Sequence, residues 1–394
     1  MRIKIINYLK VHPEIVYLFY KFMKFLLSIW GLFLPIKQKT ILFCSFGGRK
    51  FDDSPRALYD EICCRREFDD WQLTWAFANP SNYHLQRGNM VKIDTLAFFK
   101  ALLTSKVWIS NSGMDRGINL HRKGTIKIDT WHGTPLKKIG GEENQNSIGG
   151  NKTHRKKNID KQTIRCAQSE YDQEIFSRIF YIDKEKILLS DLPRNDALFN
   201  YSKEECEKIK SKLGIKNKKV ILYTPTYREY MIDKNNNTYI APPIDLIKWK
   251  KVLGEEYILL IRTHYAVIKA MNIQESDFVI NVSDYPTLND LYIISDLMIS
   301  DYSSTFIDFS ILNRPMFCFA YDLEEYNVKR GLYIDLDKTL PCKIHKNEDD
   351  LLNDIKSMNK AECVKATQLF HERFAPNAGK ASKFIVDVLL NELK

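Results

Sequence analysis

A histidine lies between a predicted strand and a glycine turn in the segment 130–138, which reads TWHGTPLKK. The preceding run Thr125–Thr130 alternates in the manner of a strand, and Gly133 and Pro135 then end it. We therefore expect His132 on a loop at a strand end, where open α/β sheets bind their ligands. Its unperturbed pKa of about 6.5 would let it accept a proton near neutral pH. A hydrogen-bonded loop histidine without a catalytic role is the alternative interpretation.

Cations follow other predicted strand ends. Lys137, a few residues after the histidine, could meet an anionic substrate. Arg262 and His264 follow the apolar run Tyr257–Ile261, so a cation and an imidazole again occur together. Arg330 lies in a further predicted turn. An arginine at a strand end is usually a salt-bridged surface residue. The prediction of a site therefore depends on several strand ends carrying groups suited to the same anionic ligand.

Hydroxyl groups provide the second element of this chemistry. Ser303, Ser304 and Thr305 follow Asp301 at the start of a predicted helix, directly after an apolar strand. They could cap the helix, and the backbone N–H groups there could bind a phosphate. Plain N-capping is again the alternative interpretation. Thr226 follows another predicted strand and could add a hydroxyl to the same site.

Two series of alternating strands and helices must position these residues. The first begins near Lys39 and the second follows residue 200. Such series predict an α/β fold with two doubly wound, Rossmann-like sheets facing a cleft. We predict an acceptor-side domain over 37–200 and a donor-binding domain over 201–394, with the last helix packing back on the first domain. No internal repeat of solenoid length is visible.

The segment 1–36 contains an apolar, aromatic stretch over 15–34. No signal-peptide cleavage site follows it, and Lys21 and Lys24 would be costly inside a membrane span. On a helix, one narrow face would collect five residues, namely Tyr17, Lys21, Lys24, Ser28 and Gly31. The remainder is apolar, which is typical of a helix lying in the membrane interface. A helix buried against the protein body is the alternative.

The composition limits the partners. The formal net charge of +10, from 59 Lys+Arg against 49 Asp+Glu, favours an anionic partner. The basic residues are spread along the chain and no nucleic-acid module is recognisable, so we expect no nucleic-acid partner. The eight cysteines form no C-x-x-C pair and the histidines have no metal-ligand spacing, which predicts reduced thiols and no metal site.

Taken together, these motifs resemble the CDP-glycerol glycerophosphotransferase family of Gram-positive bacteria, the TagB/TagF type that builds wall teichoic acid. The matching segments stand in the family's order over about residues 40–375. They are Thr130–Lys138, Leu192–Phe199, Leu222–Arg228, Arg262–His264, Ser300–Asp308 and Arg330–Asp335. The length is closer to the short, primase-like members than to the long polymerases.

The resemblance implies a GT-B-like fold with the active site between two Rossmann-like domains. It also implies transfer of glycerol phosphate from CDP-glycerol to a hydroxyl of a lipid-linked disaccharide, with release of CMP, at the cytoplasmic face of the membrane. The family's two active-site histidines fall on His132 and His264, and its phosphate-binding hydroxyls on Ser303, Ser304 and Thr305. No tightly bound cofactor is implied, and a divalent cation could assist.

Our hypothesis makes His132 the general base, while His264 and Arg262 stabilise the transferring phosphoryl group. The two histidines could exchange these roles. A donor such as CDP-ribitol or a nucleotide sugar, used in capsule synthesis, is the nearest alternative activity. A catalytically silent scaffold in a polymer-synthesis complex is the alternative of a different class.

Overall fold

The computed structural model describes residues 13–143, 163–228, 242–263 and 275–394. Its described residues form two parallel sheets. Counting strands along the chain, the first contains seven in the spatial order 3-2-1-4-5-6-7 and the second six in the order 10-9-8-11-12-13. Every pairing between neighbouring strands is parallel. The α/β class and the two-sheet architecture that the sequence predicts are therefore confirmed.

The first half of the chain carries β1–β7 and the second half carries β8–β13. The strands of the first half are β1 Lys37–Cys44, β2 Gln72–Phe77, β3 Asn89–Lys92, β4 Ser105–Ser110, β5 Ile126–Asp129, β6 Thr163–Ala167 and β7 Ile187–Leu189. Its helices are α1 Pro13–Leu32, α2 Asp53–Cys63, α3 Leu96–Thr104 and α4 Glu170–Phe180. A 3-10 helix, Pro193–Leu198, leads out of it.

The strands of the second half are β8 Lys219–Thr224, β9 Tyr257–Ile261, β10 Val279–Asn281, β11 Leu297–Ser300, β12 Met316–Phe319 and β13 Ile344–His345. The helices are α5 Lys203–Lys212, α6 Leu246–Leu253, α7 Leu288–Ile294, α8 Thr305–Ser310, α9 Leu323–Lys329, α10 Leu336–Thr339, α11 Glu348–Ser357, α12 Lys360–Phe374 and α13 Ala381–Glu392. The change of sheet between β7 and β8 spans the boundary predicted at residue 200.

Both faces of each sheet are covered, because the central strands are apolar on both sides. On β8, Leu222 packs into one buried cluster and Ile221 and Tyr223 into another on the opposite face. On β1, Phe43 and Leu42 divide in the same way. Successive side chains of a strand point to opposite faces, so each sheet lies between two helical layers.

The last helix, α13, packs on the first half although it follows the second half in the chain. Ile385, Val386 and Leu389 are buried in the same cluster as Phe43 of β1. Arg65, which follows α2, adds hydrogen-bonded ion pairs to Glu61 of α2 and to Asp387 of α13. One face of the first sheet is thus covered by a helix that follows the second half in the chain.

The two halves meet along a seam formed by residues 131–138 of the first half with 303–308 and 331–333 of the second. The Lys138 N–H donates to the Gly331 carbonyl at 3.0 Å, and the Tyr333 N–H to the Leu136 carbonyl at 2.8 Å. An antiparallel bridge between Lys137 and Leu332 lies between these bonds. The loop that carries the histidine is therefore fixed to both halves.

Candidate active site

Trp131 places His132 at the end of β5 by a turn that few residues adopt. Its φ is +55°, in the left-handed region. Its N–H donates to the Asp129 carboxylate at 3.1 Å, and its ring packs against Phe180 with 4.9 Å between the ring centroids. These contacts fix the turn and direct the next residue away from the sheet.

Asp129 can hold this turn because it stays ionised. Burial is the largest single effect and would raise the pKa of its carboxyl, but Arg165, Lys127 and the Trp131 N–H together outweigh it, so the pKa lies below its ordinary value. The Arg165 guanidinium donates to the carboxylate at 2.8 Å and lies over the Phe180 ring at 3.7 Å. An ion pair and a cation–π contact therefore stabilise the loop from behind.

His132 has the protonation pattern of a base. Its Nδ1 lies 2.8 Å from the Asn111 carbonyl oxygen, which can only accept, so Nδ1 carries the hydrogen and Nε2 the lone pair. No described residue makes a hydrogen bond to Nε2. Desolvation by the surrounding protein lowers the pKa of the ring below its ordinary value, although the side chain remains accessible to solvent. The imidazole is therefore neutral and able to accept a proton at neutral pH.

The next residue brings this histidine against the hydroxyl helix of the second half. Gly133 has φ +141°, and a Cβ placed on it would lie only 2.4 Å from the Ser304 Oγ. No side chain fits there, which explains the glycine. Gly133, the residue after His132, and Ser304 are therefore neighbours across the seam, although the sequence places them far apart.

The turn before α8 offers hydrogen-bond donors to a ligand. Ser304 is the residue before the helix, and the Ser303 hydroxyl accepts from the Thr305 N–H at 3.3 Å. Among the described residues, nothing accepts a hydrogen bond from the backbone N–H of Ser303 or Ser304. The Thr305 hydroxyl lies 3.2 Å from the Ser300 hydroxyl, so it faces the sheet. The predicted phosphate-binding role of Ser303, Ser304 and Thr305 stays a prediction, and the two serines are better placed for it than Thr305.

The structure gives Asp301 internal partners. It is 1% exposed and accepts from the Thr226 N–H at 3.0 Å and from the Arg228 guanidinium at 2.7 Å. Its contribution is to hold the loop after β8 next to the turn before α8. The predicted donor-binding roles of Asp301 and Thr226 stay predictions.

Basic residues lie along the same seam. Lys137 forms the bridge to Leu332, and Arg330 forms an ion pair with Glu143 at 3.4 Å. Arg262 donates to the backbone carbonyls of Val282 and Tyr285 at 3.2 and 2.6 Å. Their roles toward a donor stay predictions, and His264 lies outside the described residues.

Lys50 is a further cation of this region, and it lies in none of the motifs of the sequence. Burial lowers its pKa, and the positive charge of Arg262 from the other half lowers it further. Its ammonium lies 5.6 Å from the centroid of the Phe46 ring, which in turn is 6.0 Å from the His132 ring. Two cations from opposite halves therefore approach each other near the histidine, as expected around an anionic ligand.

A layer of buried acids lies behind the loop. The Thr134 hydroxyl is 3.0 Å from both Gln168 Oε1 and Asp172 Oδ2. Burial raises the pKa of Asp172 to about 7 and that of Asp191 to about 8. Each carboxyl therefore keeps its proton to a higher pH than an ordinary aspartate does, which reduces the negative charge behind the site.

Comparisons with known proteins identify the group to which this architecture belongs. The model of the family described as CDP-Glycerol:Poly(glycerophosphate) glycerophosphotransferase matches residues 26–391. The chain is a member of this family. It is a transferase related to the enzymes of teichoic acid biosynthesis, which confirms the family resemblance found in the sequence.

Relatives of this glycerophosphotransferase cover nearly its whole length. The teichoic acid glycerol-phosphate transferase of Staphylococcus aureus is 33% identical over 371 residues, which are 90% of this chain and 94% of that protein. The teichoic acid poly(glycerol phosphate) polymerase of Staphylococcus epidermidis is also 33% identical, but the chain spans only 51% of its length.

Solved structures give the same result for the fold. The wall teichoic acid polymerase TagF superposes with a TM-score of 0.83 at 30% identity, covering 99% of this chain and 98% of that one. A UDP-GlcNAc 2-epimerase from Neisseria meningitidis reaches a TM-score of 0.57 at 13% identity, which shows a shared fold only. The GT-B-like architecture predicted from the sequence is thus confirmed.

No group of three or more His, Cys, Asp or Glu side chains suited to a metal ion occurs within the described ranges. None of the helices in the described part of the chain combines the length and apolar character needed to cross a membrane.

Proposed function

We propose that this glycerophosphotransferase transfers glycerol phosphate from CDP-glycerol to a hydroxyl of a lipid-linked saccharide, with release of CMP, in synthesis of wall teichoic acid or a related surface polymer. The contact of the His132–Gly133 turn with Ser304 is the observation that carries the proposal. It brings a neutral imidazole to the hydroxyls and N–H groups that fit a phosphate. The family match, and a relative solved as TagF with CDPG, support the choice of donor.

The proposed reaction is a displacement at phosphorus. The acceptor hydroxyl gives its proton to His132 Nε2 while its oxygen attacks the β-phosphorus of CDP-glycerol. The new O–P bond forms as the bond from that phosphorus to the bridging oxygen of CMP breaks, and the bridging oxygen keeps the electron pair. General base catalysis of this kind contributes about 10²–10⁴-fold in rate.

The remaining site residues would bind the donor's diphosphate. Ser303 and Ser304 provide hydroxyl and backbone donors, and Arg262 provides positive charge together with Lys50. His264 would join them, and it could exchange roles with His132. Besides Lys50 and His264, eight residues are proposed on the donor side, namely Arg262, Asp301, Ser303, Ser304, Thr305, Thr226, Arg330 and Lys137. We propose no tightly bound cofactor, and a divalent cation could assist through the diphosphate itself.

A donor panel tests the reaction. The purified full chain is mixed with a soluble lipid-linked disaccharide analogue and with CDP-glycerol, CDP-ribitol or UDP-N-acetylglucosamine in turn. We expect CMP release with CDP-glycerol and a product heavier by glycerol phosphate, measured by mass spectrometry. CMP release with CDP-ribitol alone, UDP release alone, or no release with any donor would contradict the proposal. A ladder of masses would identify a polymerase, and a single addition a primase.

We also propose that α1 holds the enzyme in the inner leaflet of the plasma membrane, where a lipid-linked acceptor would be found. The helix packs on α3 through Leu27, which is 5% exposed, and through Gly31, whose Cβ position would be 3.5 Å from Leu103. Gly31 therefore contacts the protein at the edge of the predicted lysine face, where a small residue lets the helix approach closely.

The opposite side of α1 is apolar and exposed. Leu18, Phe22 and Phe25 are 63%, 59% and 61% exposed. Such a row would be costly in water and stabilising in the headgroup region of a bilayer. Lys21 and Lys24 lie beside this row and could contact anionic headgroups.

Vesicle binding tests this second proposal. We expect Phe22→Glu with Phe25→Glu to weaken binding of the full chain to phosphatidylglycerol-containing vesicles by at least about tenfold, because each buried phenylalanine contributes about 1.5–3 kcal/mol. Ile247→Glu is the matched control, since Ile247 is 83% exposed on α6 in the second half. Sedimentation that is unchanged in the double variant, or equally reduced in the control, would refute an anchoring role for α1.

A further inference from the structure

One arginine connects the loop that carries His132 to α8, the helix that follows Ser303 and Ser304. Arg194 lies in the 3-10 helix Pro193–Leu198, between the two sheets. Its Nη1 donates to Asp53 Oδ2 at 2.6 Å and to the His132 carbonyl oxygen at 3.0 Å. Its Nη2 donates to Asp308 Oδ2 at 2.7 Å. A single planar guanidinium therefore contacts the start of α2, the histidine loop and α8.

These three partners come from parts of the chain that must stay aligned for catalysis. Asp53 belongs to the first half, and Asp308 lies one helical turn after Ser304 in the second half. The Asn195 side chain also donates to Asp308, at 3.2 Å. Arg194, supported by Asn195, thus ties α8, and hence the serine hydroxyls, to the backbone of His132.

The burial of this group indicates a geometric role rather than a stabilising one. The side chains of Arg194, Asp53 and Asp308 are 14%, 6% and 3% exposed. Buried ion pairs of this kind gain little net stability, because desolvation offsets their attraction. The planar fork of an arginine, in contrast, fixes the angle between two carboxylates in a way that a lysine cannot.

We propose that Arg194 is a positioning residue that holds His132 in register with Ser303 and Ser304 across the seam. The inference rests on the proposed function, in which His132 is the base and the serines bind the donor. It adds a residue that touches neither reactant and acts through the backbone of the histidine.

The charges around His132 allow a second test of this proposal, the pH dependence of the rate. Asp53 raises the pKa of the ring and Arg194 lowers it, while Asp129 raises it from behind the loop. Asp53→Asn keeps the shape, and Asn tolerates the left-handed φ of +66° at this position. Loss of its negative charge should therefore move the acid limb of the pH–rate profile to lower pH. Arg194→Lys keeps the positive charge and should leave that limb nearly in place.

Arg194→Lys is the main test. We expect kcat to fall by about 10²-fold, as for a small misplacement of a catalytic group, with little change in the KM for CDP-glycerol. Arg65→Lys is the matched control, because Arg65 also forks between two carboxylates, those of Glu61 and Asp387, and joins α2 to α13 away from the seam. We expect the control to leave kcat and the pH profile unchanged.

A measurement without turnover separates this proposal from the proposed reaction. Nitrogen-15 NMR of labelled histidine reports which ring nitrogen carries the hydrogen, and His132→Ala assigns the signal. We expect the Nδ1–H form in the wild type, a mixture in Arg194→Lys, and a lowered pKa in Asp53→Asn. Wild-type protein that turns over no CDP-glycerol would refute the proposed function alone. Arg194→Lys with the wild-type tautomer and kcat, or a control that loses as much kcat, would overturn the positioning role.

Discussion

Replacing His132 with alanine is expected to reduce turnover of CDP-glycerol by about 10²–10⁴-fold while binding of the donor persists. The reason is that the Nδ1–H bond to the Asn111 carbonyl leaves Nε2 as the proton acceptor. The donor contacts proposed for Ser303 and Ser304 do not involve the imidazole. Initial-rate kinetics and calorimetric titration with CDP-glycerol measure the two effects separately.

The same assignment fixes the direction of the pH dependence. A base acts in its neutral form, and burial lowers the pKa of His132 below its ordinary value. Activity should therefore be full at neutral pH and fall only as the pH drops through this depressed pKa. His371→Ala is a suitable control, since His371 is partly buried on α12 and its pKa is also lowered by burial. Near wild-type turnover in His132→Ala would eliminate the base assignment and favour His264.

Replacing Arg228 with methionine is expected to lower the free energy of unfolding by about 3–5 kcal/mol, because it leaves buried carboxylates without their counter-charge. Arg228 donates two hydrogen bonds to Asp322, at 2.9 and 2.7 Å, and one to Asp301 at 2.7 Å. Its side chain is 3% exposed, and its guanidinium lies 4.9 Å from the centroid of the Tyr302 ring. Urea denaturation followed by circular dichroism measures the change.

Lys219→Met provides the matched comparison for this prediction. Lys219 lies on β8, the strand that leads to Arg228, and pairs with Glu256, but both side chains are about half exposed, at 51% and 56%. Exposed pairs contribute about 0–1 kcal/mol, so this variant should unfold nearly as the wild type does. Equal stabilities for the two variants would mean that water reaches the Arg228 cluster and replaces its contacts.

The long, apolar central strands are predictable from the sequence because their hydrophobic pattern is sufficient. The pattern predicts strands over Lys219–Thr224, Lys39–Phe46 and Tyr257–Arg262. The first is β8 to the residue, and the other two match β1 and β9 to within two residues of each end. The edge strands β3, β7 and β13 are missed, because runs of four, three and two residues are too short to show a period. Those strands form because they pair with a neighbouring strand, and the residues of that neighbour lie elsewhere in the chain.

The residues of the candidate site also divide into those that a local sequence pattern predicts and those that it does not. His132 and the serines are predictable, because strand ends followed by glycine or hydroxyl residues have a local pattern. Arg194 has no such pattern, and its function depends on Asp53 and Asp308, which are 141 and 114 residues away. Only the family motif Leu192–Phe199 draws attention to it. Long-range ion pairs of this type become visible only when the two sheets are packed together.

The packing of α13 on the first sheet has a consequence for how the protein is made. Ile385, Val386 and Leu389 cover Phe43, yet a ribosome synthesises them more than 300 residues later. Until then the first half must emerge with part of its apolar core open to the cytosol, so folding of the nascent chain cannot be completed one half at a time. We expect chaperones that bind exposed apolar segments to engage the first half throughout synthesis and to be released only after α13 has docked.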